Sequence, residues 1–184
     1  MKILFDYFSA ILLIPFIIIP FMFFWLLTVI INGGNGFFLH ERIGKNQKTF
    51  KICKLKSFNR KGEINKFGYF IRKYKIDEIP QLINVLKGEM SFVGPRPDVE
   101  SFSKLLKEEE MIIFKLKPGI TGLASLKYYN EEELLSKQED PNNYNQEVIF
   151  KDKIKLNLEY YHCHNLVLDI KIILKTIKIL IFKT

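Results

Sequence analysis

Residues 7–31 carry no charged side chain and are dominated by Ile, Leu and Phe. A helix of this length is long enough to enter or cross a hydrocarbon core about 30 Å thick. The run is longer than the apolar part of a secretory signal peptide, and no small-residue cleavage site follows it. The sequence therefore predicts a membrane-embedded helix in this part of the chain.

Two prolines, Pro15 and Pro20, lie inside the apolar run. Proline removes a backbone donor and kinks a helix, so residues 1–36 admit two courses. One is a spanning helix with kinks, and the other is a re-entrant helix-break-helix that dips into the bilayer and returns. We expect the re-entrant course, with the membrane break at Pro20 and both ends on the cytoplasmic side.

The formal charge of +8 is compatible with nucleic acid, anionic lipid or an anionic substrate as partner. Nucleic-acid binding is disfavoured because the lysines are spread along the chain without a reading motif. Beside an apolar anchor, attraction to the anionic cytoplasmic leaflet explains the charge better. Residues 166–183 combine lysines with an apolar face, which predicts either an interfacial amphipathic helix or a helix packed on the core.

The remaining pattern predicts a mainly helical fold with short β or extended segments. A strand is expected over residues 50–56, and helices over residues 67–74, 81–86 and 101–114. The expected organisation is a re-entrant membrane element, residues 1–36, followed by a small cytoplasmic α/β catalytic domain, residues 37–184, with interfacial amphipathic helices.

The adjacent acids Asp77 and Glu78 are the strongest candidates for chemistry. Because Pro80 is tolerated only in a first helical turn, a helix over residues 81–86 should begin near the pair. Asp77 is then a helix N-cap, a site carboxylate, or both, since helix N-termini also attract phosphate. Magnesium takes one or two carboxylates plus phosphate oxygens, and a carboxylate is also a competent covalent nucleophile.

Cationic residues frame the acidic pair. Arg96 lies between Pro95 and Pro97, which restrict its backbone and favour bidentate contact with a phosphate. Arg72, Lys54 and Lys56 add positive charge; each alone is usually a solvated surface group. The sequence contains no P-loop, no Gly-x-Ser-x-Gly motif and no His-Glu-x-x-His motif, so carboxylate chemistry is the remaining hypothesis.

The segment KIDEIPQLINVLKGEMSFVGPRP, residues 75–97, resembles the signature of the bacterial sugar transferases, the small monotopic phosphoglycosyl transferases. Supporting stretches are ERIG at 41–44, FKICKLK at 50–56, KPGITGL at 117–123 and LDIK at 168–171. The resemblance covers nearly the whole chain.

The resemblance implies transfer of a phosphosugar from a UDP-sugar to polyprenyl (undecaprenyl) phosphate, with Mg²⁺ and release of UMP, as the first membrane step of glycan assembly. It implies that Asp77 forms a covalent phosphosugar intermediate and that Glu78, with Asp77, holds the metal. The implied location is the cytoplasmic face of the bacterial inner membrane. The implied substrate-binding residues are Arg96, Arg72, Lys56, Pro95, Pro97 and Gly94.

Two departures from the family pattern limit what the resemblance implies. Ile19 stands where the family has a serine before the membrane proline, and residues 124–130 replace a Gly-Arg-Asn stretch, so the sugar is left unnamed. The partners implied are a UDP-sugar, polyprenyl phosphate and an anionic membrane. Nucleic acid is not expected as a partner, and whether the protein forms a homodimer is left open. The alternative hypothesis is a catalytically silent membrane-bound partner in a glycan assembly complex.

Overall fold

The computed structural model describes residues 1–97 and 105–182. Two compact units are present, one formed by Met1–Arg42 and Thr49–Ser91 and the other by Ile43–Lys48 and Phe92–Thr184. The predicted division into residues 1–36 and 37–184 separates a membrane element from a catalytic domain, which is a different distinction from these two compact units. It stays a prediction.

The first unit begins with helix α1, Lys2–Asn32, which contains the whole apolar run. It is long and apolar enough to cross a membrane, and 6% of its most apolar 18-residue window is buried. An exposed face of this kind fits a membrane-anchoring helix. Pro15 and Pro20 lie inside α1, so the predicted break at Pro20 falls within one helical element. The re-entrant course itself stays a prediction.

Both ends of α1 are attached to the first unit by polar side chains. Near the start, buried Asp6 accepts a hydrogen bond from Ser91 Oγ at 3.0 Å. At the end, Asn32 donates to Lys56 O at 2.6 Å and accepts from Asn65 Nδ2 at 2.7 Å. The apolar side chains between them are mostly exposed, as Ile19 is at 76%. The helix is therefore anchored at its two ends and exposed between them.

The rest of the first unit is built from short elements. Strands β1 and β2 are paired, and the predicted strand and the predicted helices over residues 67–74 and 81–86 are confirmed. Gly88, with φ 76°, adopts the left-handed conformation that often follows a helix end. The elements are β1 (Phe37–Ile43), β2 (Thr49–Leu55), α2 (Lys66–Lys73), a 3₁₀ turn (Ile76–Glu78) and α3 (Gln81–Leu86).

The side chain of Asn84 joins α3 to β2. Its Oδ1 accepts from the Cys53 N–H at 3.0 Å, and its Nδ2 donates to Lys51 O at 2.8 Å and to Glu89 Oε2 at 2.7 Å. Asn84 is 1% exposed. Because buried polar groups are costly unless they are paired, this amide fixes the position of α3 against the strand.

The second unit is mainly helical around a small sheet. Strand β3 (Ser91–Val93), whose last two residues belong to this unit, pairs with β4 (Gly119–Thr121). Val93, Tyr160 and Ile172 form a buried cluster. The helices are α4 (Leu123–Lys127), α5 (Glu131–Ser136), α6 (Pro141–Tyr144), a π-helical turn (Asn145–Phe150), α7 (Lys151–Cys163) and α8 (Leu166–Phe182), with 3₁₀ turns at Lys45–Gln47 and Glu108–Lys115.

The predicted fold class, mainly helical with short strands, is confirmed. The predicted helix over residues 101–114 lies partly outside the described residues, and its described end contains the 3₁₀ helix Glu108–Lys115. One face of α8 packs on the core through Asp169 and Ile172, while Leu174 on another face is 61% exposed. Core packing of this helix is therefore observed, and its placement at a membrane interface stays a prediction.

We predict that Asn84→Ala lowers the free energy of unfolding by about 2–4 kcal/mol, because it leaves the Cys53 N–H and the Lys51 carbonyl without their partner. Exposed Asn142, which makes no side-chain hydrogen bond to the described residues, provides the matched control Asn142→Ala. Thermal and denaturant unfolding in detergent measure the difference. Equal stability of the two variants would contradict the role given to Asn84.

Candidate active site

The acidic pair lies in a short helical turn that follows a strained residue. Lys75 has φ 55° and ψ 22°, which lie in the left-handed region that non-glycine residues rarely adopt. The 3₁₀ turn follows at once, with Glu78 N–H donating to Lys75 O at 3.1 Å. Strained backbone of this kind is concentrated at functional sites. Here it directs the chain into the turn that carries both acids.

The prediction of Asp77 as an N-cap is wrong. Helix α3 begins at Gln81, Pro80 occupies its N-cap position, and no side chain caps it. The physical reason is that Asp77 sits within the preceding 3₁₀ turn, whose residues already have helical geometry. The carboxylate is therefore not engaged in holding the helix end.

Asp77 is a buried carboxyl group with an unsatisfied oxygen. The residue is 6% exposed, and its Oδ1 has no hydrogen-bond partner among the described residues. Burial, and next the adjacent Glu78, raise the pKa of Asp77 to about 6. The nearby cations Lys54, Lys75 and Arg72 oppose this rise without cancelling it. At neutral pH the group is therefore mostly ionised and buried, and no donor among the described residues occupies its Oδ1.

Glu78 is held by a cation from the neighbouring strand. Its Oε1 lies 2.9 Å from Lys54 Nζ, and the two side chains are 10% and 21% exposed. A partly buried pair at this distance is screened by water less than a surface pair. The Lys54 ammonium thus offsets the charge of one acid of the pair.

The other predicted cations of the first unit differ in their surroundings. Arg72 donates from Nε to Ser57 Oγ at 2.7 Å, and its charge lowers the pKa of Asp77. The Lys56 ammonium lies 5.4 Å from the centroid of the Phe58 ring. The structure therefore brings Asp77, Glu78, Lys54 and Arg72 into one electrostatic group, and it places Lys56 beside an aromatic ring.

The predicted Gly-Pro-Arg-Pro loop belongs to the second unit and is fixed by its backbone. Gly94 N–H donates to Thr121 O at 2.9 Å, and Gly119 N–H donates to Pro95 O at 2.8 Å. A Cβ on Gly94 would lie 2.4 Å from Lys117 O, so only glycine allows this approach. Gly94 and Pro95 are buried, whereas Arg96 and Pro97 are half-buried. Arg96 is thus carried by a rigid loop.

The donor set at the acidic pair suits magnesium. In the described ranges 1–97 and 105–182, no three His, Cys, Asp or Glu side chains are grouped so that together they could hold a metal ion. Magnesium needs no such cluster, because it commonly uses one or two carboxylates and takes its other oxygens from water and substrate phosphates. The unsatisfied Asp77 Oδ1 next to Glu78 fits that type of site.

The match to known proteins covers nearly the whole chain. The family model described as bacterial sugar transferase matches residues 1–183. The chain belongs to the bacterial sugar transferases. The resemblance seen in residues 75–97 is therefore confirmed, and with it the prediction of a transferase.

Relatives in three bacteria illustrate the match. The chain is 31% identical over 189 residues to the uncharacterized sugar transferase EpsL of Bacillus subtilis, covering 97% of this chain and 86% of that protein. It is 33% identical over 175 residues to undecaprenyl-phosphate glucose phosphotransferase of Komagataeibacter xylinus, covering 82% and 30%. It is 30% identical over 165 residues to UDP-N-acetylgalactosamine-undecaprenyl-phosphate N-acetylgalactosaminephosphotransferase of Aeromonas hydrophila, covering 80% and 36%. The chain spans about a third of the length of the last two.

Three features of this site were not assigned from the sequence. The first is the pairing of Lys54 with Glu78, since the sequence offers Lys54 only as one cation among several. The one signal is that Lys54 and Lys56 alternate on a predicted strand and so lie on the same face of it. Nothing in the sequence indicates that Ser57 binds Arg72 or that Lys75 has a positive φ. These features depend on contacts and backbone angles that only the folded chain shows.

We predict that Asp77→Asn stabilises the protein at neutral pH. The ordinary pKa of this carboxyl is 3.8, and the folded value is about 6. The native state therefore holds the proton more tightly than the unfolded chain does. Protonation of Asp77 therefore stabilises the folded protein. This contribution is full below pH 3.8 and is lost as the pH rises through 6, which lowers the free energy of unfolding by about 3 kcal/mol by pH 7.5.

Melting temperatures in detergent provide the measurement. Asp77→Asn is expected to melt higher than the wild type at pH 7.5, with the gap narrowing towards pH 5. Asp140→Asn is the matched control, because Asp140 is exposed and caps α6 through Asn143 N–H, a role that Asn fills equally well. An equal or lower melting temperature of Asp77→Asn at pH 7.5 would contradict the costly burial of this charge.

Proposed function

We propose that this protein transfers a phosphosugar from a UDP-sugar to polyprenyl phosphate, with Asp77 as the covalent nucleophile. The observation that carries the proposal is the buried Asp77 carboxylate, whose Oδ1 has no hydrogen-bond partner among the described residues. A nucleophilic carboxylate needs a lone pair that no protein donor occupies, whereas a structural carboxylate is normally satisfied by hydrogen bonds. Family membership and relatives named as undecaprenyl-phosphate sugar phosphotransferases support the same chemistry.

The proposed reaction proceeds in two displacements. An Asp77 oxygen attacks the phosphorus attached to the sugar, the bond between the two phosphates breaks, and UMP leaves with the bonding electrons. A phosphate oxygen of the polyprenyl phosphate then attacks the same phosphorus and displaces Asp77. The products are polyprenyl diphosphate sugar, UMP and the regenerated carboxylate.

The cations predicted for the site have separate roles in this proposal. Lys54 holds Glu78 at 2.9 Å, which limits the repulsion between the two acids and an incoming diphosphate. Arg72, fixed by Ser57, supplies positive charge near the attacking carboxylate. Magnesium, held by Glu78 and Asp77, would offset the charge of the substrate phosphates. Arg96, on its rigid loop, is assigned to phosphate binding, with Gly94, Pro95 and Pro97 shaping that loop and Lys56 adding charge.

The proposed location is the cytoplasmic face of the bacterial inner membrane, where the reaction would be the first membrane step of glycan assembly. Two observations support a re-entrant α1. Its start is bound through Asp6 and its end through Asn32 to the same unit, and its middle is exposed. Provided that the unit holding both ends stays on one side of the bilayer, α1 enters and leaves the bilayer on that side.

The activity prediction concerns UMP release and a covalent adduct. Purified protein in detergent with Mg²⁺, a panel of UDP-sugars and polyprenyl phosphate should release UMP. Without the acceptor, intact mass spectrometry should detect the protein plus one phosphosugar. Asp77→Asn should lose both signals, because an amide is a poor nucleophile, while Asp140→Asn should keep both.

Two results would contradict this proposal in different ways. Full turnover by Asp77→Asn, with deamidation excluded by mass, would remove Asp77 as the nucleophile. Neither UMP nor adduct from the wild type across the whole panel would favour the catalytically silent partner of an assembly complex.

The topology prediction is that residue 2 faces the cytoplasm. In a Lys2→Cys variant without the two native cysteines, a membrane-impermeant maleimide should label residue 2 only after the cells are permeabilised. Cys163, which is exposed, serves as the cytoplasmic reference when it is the sole cysteine. Labelling of residue 2 in intact spheroplasts would show a spanning helix instead.

A further inference from the structure

The second unit contains a groove lined by three of its helices. It lies between α4, α7 and α8 and has a volume of about 450 Å³, within the range of ligand-binding pockets. Its apolar walls come from all three helices: Leu123 and Leu126, Leu156, and Ile179. A groove of this size with apolar walls fits part of a small amphiphile.

The charged groups around the groove favour an anion. Lys127, Lys175 and Lys178 line it against the single carboxylate of Glu159. Lys127 lies 2.7 Å from Asp152 Oδ2, whereas Lys175 and Lys178 form no ion pair with the described residues. These two lysines, one helical turn apart on α8, therefore present their charges to the groove without forming an ion pair in the described part of the chain.

The same helix carries the surface that indicates where such an anion comes from. An exposed apolar stripe follows the helical repeat along α8 and consists of Val167, Ile170, Leu174, Ile177 and Ile181, each between 41% and 65% exposed. Lys175 and Lys178 directly follow Leu174 and Ile177 in sequence, so they lie about 100° around the helix from them. Apolar residues bordered by lysines are typical of a helix at a membrane interface.

We propose that the groove between α4, α7 and α8 binds the headgroup of one anionic phospholipid. Its phosphate lies near Lys175 and Lys178, and the adjoining apolar part of the lipid lies against Leu126, Leu156 and Ile179. Charge complementarity and continuity with the exposed stripe of α8 select a membrane lipid over a soluble anion. This inference does not depend on the proposed reaction.

Native mass spectrometry of the full chain in detergent tests the proposal with two short-chain lipids of equal length. Dioctanoyl phosphatidylglycerol should bind one molecule per chain and more tightly than dioctanoyl phosphatidylcholine. Lys175→Gln and Lys178→Gln should each weaken phosphatidylglycerol binding about fivefold, since one lysine near an anionic headgroup contributes about that factor. Both lysines are exposed, so their melting temperatures without lipid should match the wild type.

Lys171→Gln is the matched control, because it removes the same charge from the same helix without lining the groove. It should bind phosphatidylglycerol like the wild type. An equal loss in this variant, or equal binding of the two lipids, would overturn the proposal in favour of diffuse attraction to anionic surfaces.

Two further outcomes would assign the groove to another occupant and overturn the proposal. Tighter binding of polyprenyl phosphate than of phosphatidylglycerol, lost in Lys175→Gln and Lys178→Gln, would identify an acceptor site. A dimer in the mass spectrum that dissociates in the same two variants would identify a second copy of the chain.

Discussion

The burial of two adjacent carboxylates is the constraint on which the first unit depends. An ionised acid away from water is costly unless it is paired, and here one acid has Lys54 while the other keeps an unsatisfied oxygen. The cost of burying the ionised form of Asp77 appears as a pKa raised to about 6. This carboxylate is thus held in a costly state by surroundings that are themselves well satisfied.

Strand β2 links the stability of this unit to its chemistry. The backbone N–H of Cys53 donates to Asn84 Oδ1, and the side chain of the next residue, Lys54, donates to Glu78 Oε1. Backbone N–H groups point along the hydrogen-bonding direction at the strand edge, whereas side chains stand out of the sheet, so the two contacts do not compete for the same space. The strand that fixes α3 therefore also fixes the charge balance of the acidic pair.

The secondary-structure elements that depend on local sequence pattern could be predicted from the sequence. The apolar run, the strand over β2, the short helices α2 and α3 and the glycine after α3 all follow from periodicity and turn chemistry. The Lys54–Glu78 pair was not predictable, because its partners are separated by 24 residues and many lysines are equally near in sequence. The N-cap assigned to Asp77 failed because the helical geometry already begins before Pro80, within a 3₁₀ turn.

The hydrogen bond between Asp6 and Ser91 has a consequence for the biogenesis of the protein. Its partners are 85 residues apart, so at about 5–20 residues per second the ribosome needs roughly 4–17 s to supply Ser91 after Asp6. During that interval the apolar helix has already been synthesised, but Asp6 cannot yet accept the hydrogen bond from the Ser91 hydroxyl. The start of α1 is therefore fixed to the first unit late, only after the chain up to Ser91 has been made and folded.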